Sequence, residues 1–377
     1  MSKKVSKILI GVLVVLCVVE GFFLYRAYSG TMATVQKVRK IERTIDKYYK
    51  GKIDQTQLQD YTYKGLIAGL GDPYSDYYSK KDFKELQQST NGVYSGVGIY
   101  MTQNNTTGLI TVVKTIKGSP ADGSGLKKGD ILTKVNQTSV SKNDSLNDIV
   151  QKIKGEEGTK VKLTFLRKTD SKTYTFTRKA IESPTVETKM LKNKIGYLSI
   201  SEFDEVTVKQ FESGLAKLKK QGATSLIIDL RDNPGGLLQA VVKIADDILP
   251  KGRIVYTQDK YGNQKIYNST NKKQLDMPLC LLVNGNSASA SEILSGAIKD
   301  RKAGTLVGEK TFGKGIVQGF FSLGDGSYAK LTYATYYTPA GHNIHKKGIQ
   351  PNVKIKDNEK TKADEQLNKA IEILSKK

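Results

Sequence analysis

At 377 residues the chain exceeds what one hydrophobic core usually organises, and 38% apolar residues exclude a disordered polymer, so two or three folded units are expected. Its 60 Lys and Arg against 37 Asp and Glu give a net charge of +23, which suits an anionic surface such as lipid heads or wall polymers. The lysines are scattered, with no zinc-finger spacing, RNA-binding signature or basic helix bearing aromatic platforms, so no nucleic acid partner is expected. Two cysteines, Cys17 and Cys280, exclude a disulfide framework and a cysteine metal site in the folded part.

MSKKVSK opens the chain, followed by the apolar run ILIGVLVVLCVVEGFFLY from Ile8 to Tyr25, broken only by Glu20 and closed by Arg26. That length just suffices to span a bilayer. Lys3, Lys4 and Lys7 on the leading side put the N-terminus in the cytoplasm and the rest outside. Residues 1–28 are therefore expected to be a cytoplasmic tail and an uncleaved transmembrane signal anchor in the cell membrane. The alternative is a cleaved signal peptide, for which AYSG is a poor cleavage site. Leu16 is too large for the residue before a lipidated cysteine, so lipidation at Cys17 is not expected.

Residues 29–90 read as helical. VQKVRKIERTIDKYYK spaces Val35, Val38, Ile41, Ile45 and Tyr48 along one face, and LQDYTYKGLIAGLGD repeats the pattern until Gly71 and Pro73 stop it. Two such helices cannot make a core alone. Either they pair with a partner chain, giving a homodimer shared with the C-terminal helix ADEQLNKAIEILSK in 361–377, or they dock on their own protein.

Residues 91–180 change to short β-rich runs with glycine punctuation, GVGIYM, LITVVKTI, DILTKV and VKLTFLR, and one helix in SLNDIVQKIKG. GSPADGSGLKKGDILTKVNQTSV resembles the signature of a PDZ domain. Such a domain adds a peptide as an extra strand and holds its terminal carboxylate with backbone N–H groups of a glycine-rich loop. The matching loop is Ser95-Gly96-Val97-Gly98-Ile99, where glycine permits backbone angles that aim successive N–H groups at one anion. Gly96, Val97, Gly98 and Ile99 are the expected carboxylate site; the alternative is that the glycines only relieve a crowded strand.

From 181 to 360 strands alternate with helices. DEVTVKQFESGLAKLKKQG and GLLQAVVKIADDIL are amphipathic helices, while SLIIDLR and PLCLLV are buried strands. That alternation means βαβ units and a largely parallel sheet, with the active site at the carboxyl ends of its strands. DNPGG and NSASASE both fall there. Ser289 with Glu292 is a capping box, yet a serine at a sharp strand-to-helix turn is also the seat of a nucleophile. Position alone leaves both open. The base is equally open: His342 and His345 are the only histidines, and Lys310 and Lys314 in GEKTFGKGIVQGFF are the lysine candidates if buried among apolar neighbours. Asp229 and Asp232 stand either side of Arg231 without a further ligand cluster, so no metal and no cofactor are expected.

DLRDNPGG, NSASASEI, GEKTFGKGIVQ and TPAGHNIHKKGIQP stand in the order and spacing of the carboxyl-terminal processing (tail-specific) proteases, which the chain resembles from about Thr31 onward. The resemblance implies an α/β protease core of crotonase/ClpP-like kind with βαβ units, and a mixed α+β PDZ domain inserted before it. It implies a membrane-anchored serine endopeptidase that takes protein substrates with apolar C-terminal tails. Ser289 is then the nucleophile, Lys314 its general base, and Gln318 the residue orienting the lysine. Gly235 and Ala290 would donate N–H groups to the oxyanion, since glycines opening a helix after a buried strand present such donors; a plain turn is the other reading of DNPGG. The resemblance also suggests a PDZ gate, with Arg167 as an ionic latch or merely a solvated side chain. Asn352 departs from the family's usual aspartate after the proline, which puts only local loop contacts in doubt.

Overall fold

The apolar runs of the last half of the chain become a six-stranded sheet in the structure, a computed structural model that describes residues 13, 18–21, 32–270, 275–356 and 363–376. Across the sheet lie Val186–Met190, Ile195–Ile200, Ser225–Asp229, Leu279–Val283, Thr305–Gly308 and Val353–Lys354, parallel throughout except for the first pair. Ser225–Asp229 and Leu279–Val283 are buried at every position, as parallel strands covered on both faces must be. On one face the helices Glu205–Lys220, Leu238–Ile248 and Ala290–Asp300 set Phe211, Ile244 and Leu294 into a core with Leu226, Ile228 and Leu281. On the other, Ile227, Cys280, Leu282 and Val307 meet Ala370 and Leu374 of the C-terminal helix Glu365–Ser375. That helix therefore covers its own sheet, and its apolar face is not offered to a partner.

A second sheet, antiparallel, was not legible in the helix–strand alternation. Its central strand Tyr328–Tyr337 pairs with Ile316–Ser322, Asp76–Tyr78 and Gly252–Asp259, and Gln264–Ser269 lies beyond the last. The strand Asp76–Tyr78 also corrects the expectation of helix throughout 29–90. The helix Gln55–Ala68 gives way to the turn Asp72-Pro73-Tyr74-Ser75, this strand, and a separate helix Lys80–Thr90. Aspartate and proline at the first two positions favour such a turn, and Ser79 caps the new helix by accepting the Asp82 N–H at 3.2 Å.

The chain forms two compact units, Met1–Leu66 and Ile67–Lys377; the first is helical over 32–48 and from Gln55. The apolar run Ile8 to Tyr25, expected to be the anchor, lies largely outside the described residues, and among those described no helix is long and apolar enough to cross a membrane.

Within the second unit, a ribbon of Val93–Gly96 and Lys179–Glu182 carries the chain out to a separate β domain and back. Its sheet runs Ile99–Gln103, Ile110–Thr115, Ile131–Val135, Lys160–Arg167, Asp170–Thr177. Val112, Leu163, Phe165 and Phe176 form its core with Ile149 and Ile153 of the helix Leu146–Ile153. Ile99–Gln103 is an edge strand of this sheet. The helix is held beside it because Gln103 accepts the Leu146 N–H at 3.0 Å and donates to the Asp144 carbonyl at 2.8 Å.

Candidate active site

Two strands end side by side, and their loops interlock. The Asn284 and Asn286 side chains both donate to Asp232 Oδ1 at 2.9 Å, and the Ala288 N–H donates to the Asn233 carbonyl at 3.0 Å. This arrangement separates the three serines of SASASE. Ser287 and Ser291 are fully buried and donate inward, to the carbonyls of Leu230 at 2.7 Å and Asn233 at 3.0 Å. Ser289 is half-buried and sits at φ 53°, ψ −111°, an uncommon conformation for a residue with a side chain, at the start of Ala290–Asp300. Of the three it alone is not fully buried.

Its backbone is clamped at both ends. The Ser289 N–H donates to Glu292 Oε2 at 3.0 Å, and its carbonyl accepts the Tyr336 hydroxyl at 3.1 Å. Burial pushes the Tyr336 phenol well above its ordinary pKa, so that hydroxyl remains a donor. Glu292 is itself fully buried and takes three further bonds: Thr311 Oγ1 at 2.6 Å, the Gly313 N–H at 2.8 Å and the Lys314 N–H at 2.8 Å. Burial raises its pKa, while these four donors oppose the rise. One carboxylate thus ties the expected nucleophile's backbone to the expected base's backbone.

The Lys314 loop is fitted against TPAGHNIHKKGIQP. A Cβ on Gly315 would lie 2.6 Å from the His345 nitrogen, and one on Gly313, at φ +94°, would lie 2.9 Å from the Gly348 nitrogen. The Gly313 carbonyl accepts the Lys346 N–H at 2.7 Å. Thr311 Oγ1 accepts the Ile349 N–H at 2.7 Å. The side chain of Lys314 is half-buried, and its pKa is lowered by burial and by Lys330, with Asp72 acting against them. Among the described residues its amine makes no hydrogen bond to Ser289 or Gln318; it lies 4.6 Å from the centre of the Tyr74 ring. Gln318 donates to Thr332 Oγ1 at 3.2 Å instead, beyond a bulge between Val317 and Gln318 that breaks the regular alternation of the strand.

The other expected residues are placed as follows. Gly235 adjoins Ser289, where a Cβ would lie 2.8 Å from the serine's own, but its N–H already donates to Asn233 Oδ1 at 2.8 Å. In this arrangement it is not free to meet an oxyanion. Phe203 pairs with the Gly235 carbonyl and the Leu237 N–H, so the intervening Gly236 turns its own N–H to the opposite side. Ala290 is buried at the first position of the helix. In the β domain, the carbonyls of Val97 and Gly98 accept from Ala121 and Ile116 at 2.9 Å, which fixes the peptide planes between Val97 and Ile99. Gly98, at φ +76°, lies so close to Ser119 that a Cβ would meet its side chain at 2.2 Å.

Several candidates take structural positions. Arg167 binds Asp130 at 2.6 and 2.7 Å and the Gly125 carbonyl within the same domain, so among the described residues the latch reading has no partner outside that domain. Asp229 accepts from Arg231 and Tyr197, and Arg231 reaches on to Asp364 at 2.8 Å. Among the described residues no three His, Cys, Asp or Glu side chains gather as a metal group. His342 is exposed, and His345 meets Gly315 through its backbone. Asn352 accepts the Leu306 N–H at 2.9 Å, a bond that an aspartate would make equally well.

Sequence reasoning missed Asp72, Tyr74, Thr311 and Thr332, and took Glu292 for a cap alone. The capping box was the available signal for Glu292. Nothing local in DPYS points to a lysine so distant along the chain.

An α/β core with helices on both faces of its parallel sheet, an inserted β domain and a serine at a strand-to-helix elbow defines a class of serine peptidases. Residues 194–355 match the model of peptidase family S41, and residues 111–167 match a PDZ domain. A "Probable CtpA-like serine protease" of Staphylococcus aureus (strain MSSA476) is 36% identical over 358 residues, covering 92% of this chain and 71% of that protein. Its counterpart in Staphylococcus haemolyticus (strain JCSC1435) is 38% identical over 326 residues, covering 85% of this chain and 65% of the other. Among solved structures, the photosystem II D1 C-terminal processing protease is 29% identical with a TM-score of 0.51, covering 89% of this chain and 90% of that one. The chain belongs to the S41 family of serine proteases, among its CtpA-like members that carry a PDZ domain.

Proposed function

We propose that the protein is a membrane-anchored endopeptidase whose catalytic part faces outward, with Ser289 as nucleophile and Lys314 as general base. The observation that carries the pairing of Ser289 with Lys314 is the Glu292 carboxylate, which accepts the backbone N–H of Ser289 at 3.0 Å and of Lys314 at 2.8 Å; the anchoring rests on the apolar run and its flanking lysines. A protein with an apolar C-terminal tail adds its last residues to the edge strand Ile99–Gln103, its carboxylate held by the N–H groups of Gly96 to Ile99. An upstream carbonyl then reaches Ser289.

Lys314, neutral and turned toward Ser289 with Gln318 orienting it, takes the hydroxyl proton as the oxygen attacks. The Ala290 N–H and the Gly235-Gly236 loop bind the oxyanion, either through Gly236 or after Gly235 gives up its bond to Asn233. The ammonium returns its proton to the leaving amine, and the C-terminal piece departs. Lys314 next deprotonates water, which hydrolyses the acyl group from Ser289. The apolar run from Ile8 to Tyr25 anchors the protein. The N-terminal helices pair two copies of the chain as a homodimer.

The test is intact-mass analysis of a flexible protein with an apolar C-terminus, incubated with the full chain as wild type, Ser289→Ala and Lys314→Ala. Fragments from the wild type alone are expected. Cutting that persists in Lys314→Ala would move the base elsewhere, with His345 next in line; uncut substrate in all three, tail binding retained, would favour a binding scaffold.

A further inference from the structure

The turn Asp72-Pro73-Tyr74-Ser75 has no role in the reaction just described, yet it presses an aromatic ring on the base. Its shape is set locally: the Ser75 N–H closes on the Asp72 carbonyl at 3.3 Å, the Asp72 side chain accepts the Tyr74 N–H at 3.1 Å and the Ser75 hydroxyl at 2.6 Å, and Pro73 stiffens the second position. It is also tied to the sheet, since Ser75 Oγ accepts the Thr332 N–H at 3.1 Å, beside the Thr332 hydroxyl that Gln318 contacts. Tyr74 is thereby held as a fixed, half-buried platform, and the Lys314 amine lies 4.6 Å from its centre.

The face of an aromatic ring attracts a cation and has no such attraction for a neutral amine. We propose that Tyr74 is a positioning residue that seats the ammonium form of Lys314 in the resting enzyme, so that the base must lose its proton to leave the ring and reach Ser289. This rests on the reading of Lys314 as the base. The other groups facing the amine are Lys330 from the central strand of the antiparallel sheet, which disfavours the charge, and Asp72 on the turn, which favours it. His345 lies within electrostatic reach of Asp72, and Glu292 engages the backbone of Lys314. Desolvation and Lys330 push the proton off; the ring and Asp72 hold it on.

The experiment measures kcat/KM against pH for the full chain, following cleavage of a flexible protein with an apolar C-terminus. Wild type is compared with Tyr74→Leu, with Tyr74→Phe, and with a Tyr74→pentafluorophenylalanine variant that keeps the ring's shape while reversing its quadrupole. Losing the cation–π contact is expected to move the acid limb down by about one pH unit. On that limb Tyr74→Leu and the fluorinated variant then cut faster than wild type, by roughly threefold to tenfold, whereas Tyr74→Phe leaves the limb in place. A structural role alone would lower the rate and never raise it. Should Tyr74→Leu fail to fold, the fluorinated ring carries the same comparison. An acid limb at the wild-type pH in the fluorinated variant overturns the seat while leaving the dyad standing. Cleavage that survives Lys314→Ala overturns both.

Discussion

At the scale of single residues, Glu292 shows how one side chain can serve as a helix cap and as an assembly point. A carboxylate with four donors around it is a strong acceptor in a dry site, and an amide in its place must turn two hydrogens toward some of those donors. Glu292→Gln is therefore expected to fold but to lose about tenfold or more in kcat/KM, with thermal melting lowered only modestly. Glu292→Ala leaves the donors of Ser289, Gly313 and Lys314 unmatched and is expected to cost about 3 kcal/mol or more in stability. Urea unfolding alongside the cleavage assay separates the two effects. An unchanged rate in Glu292→Gln would remove the carboxylate from any part in placing Ser289 and Lys314. The spacing of Ser289 and Glu292 was visible in the sequence, and so was the cap. That the same carboxylate also bonds Gly313 and Lys314 was not, because no local pattern reports a contact between separate loops.

At the scale of elements, the loop bearing Lys314 and the loop from Thr338 to Pro351 make one unit. In the fold the glycines of GEKTFGKG are sites where another backbone comes within contact distance. Gly315→Ala would press a methyl group on the His345 backbone, and overpacking of that kind costs about 1–3 kcal/mol. The expected outcome is a loss of cleavage that exceeds the loss of stability, with binding of an apolar-tailed peptide to the PDZ domain unchanged. Calorimetric titration of such a peptide checks the second half. The parallel strands and their helices were legible in advance because burial on both faces and amphipathic spacing are local patterns. The antiparallel sheet was not, since Tyr328–Tyr337 gathers two distant stretches, Asp76–Tyr78 and Gly252–Asp259, besides its hairpin neighbour Ile316–Ser322.

At the scale of the whole molecule, the helix Glu205–Lys220 begins at Asp204, which lies against the exit of the ribbon to the PDZ domain: a Cβ on Gly92 would come within 3.1 Å of it. Burial, reinforced by Glu202, raises the Asp204 pKa from 3.8 to about 7. The folded state therefore holds a proton that the unfolded chain has released, and stability is full below about pH 4 and declines as pH rises to about 7. Asp204→Asn keeps a capping side chain and is expected to flatten that decline. Thermal melting from pH 4 to 8 reads it; parallel slopes in the two proteins would show that Asp204 does not titrate there.

Local chemistry alone determined the division into a PDZ domain and an α/β core, the family, and the short stretches holding Ser289, Lys314 and the glycine loops, because periodicity, turn residues and motif spacing all act over a few neighbouring residues. Only the tertiary structure turned Ser287 and Ser291 inward to buried carbonyls and left Ser289 half-buried at a positive φ. It alone engaged Gly235 with Asn233, placed the C-terminal helix on its own sheet, and set Tyr74 beneath Lys314. Those outcomes depend on which backbones meet in space, and that is decided by the packing of strands and loops far apart in the chain.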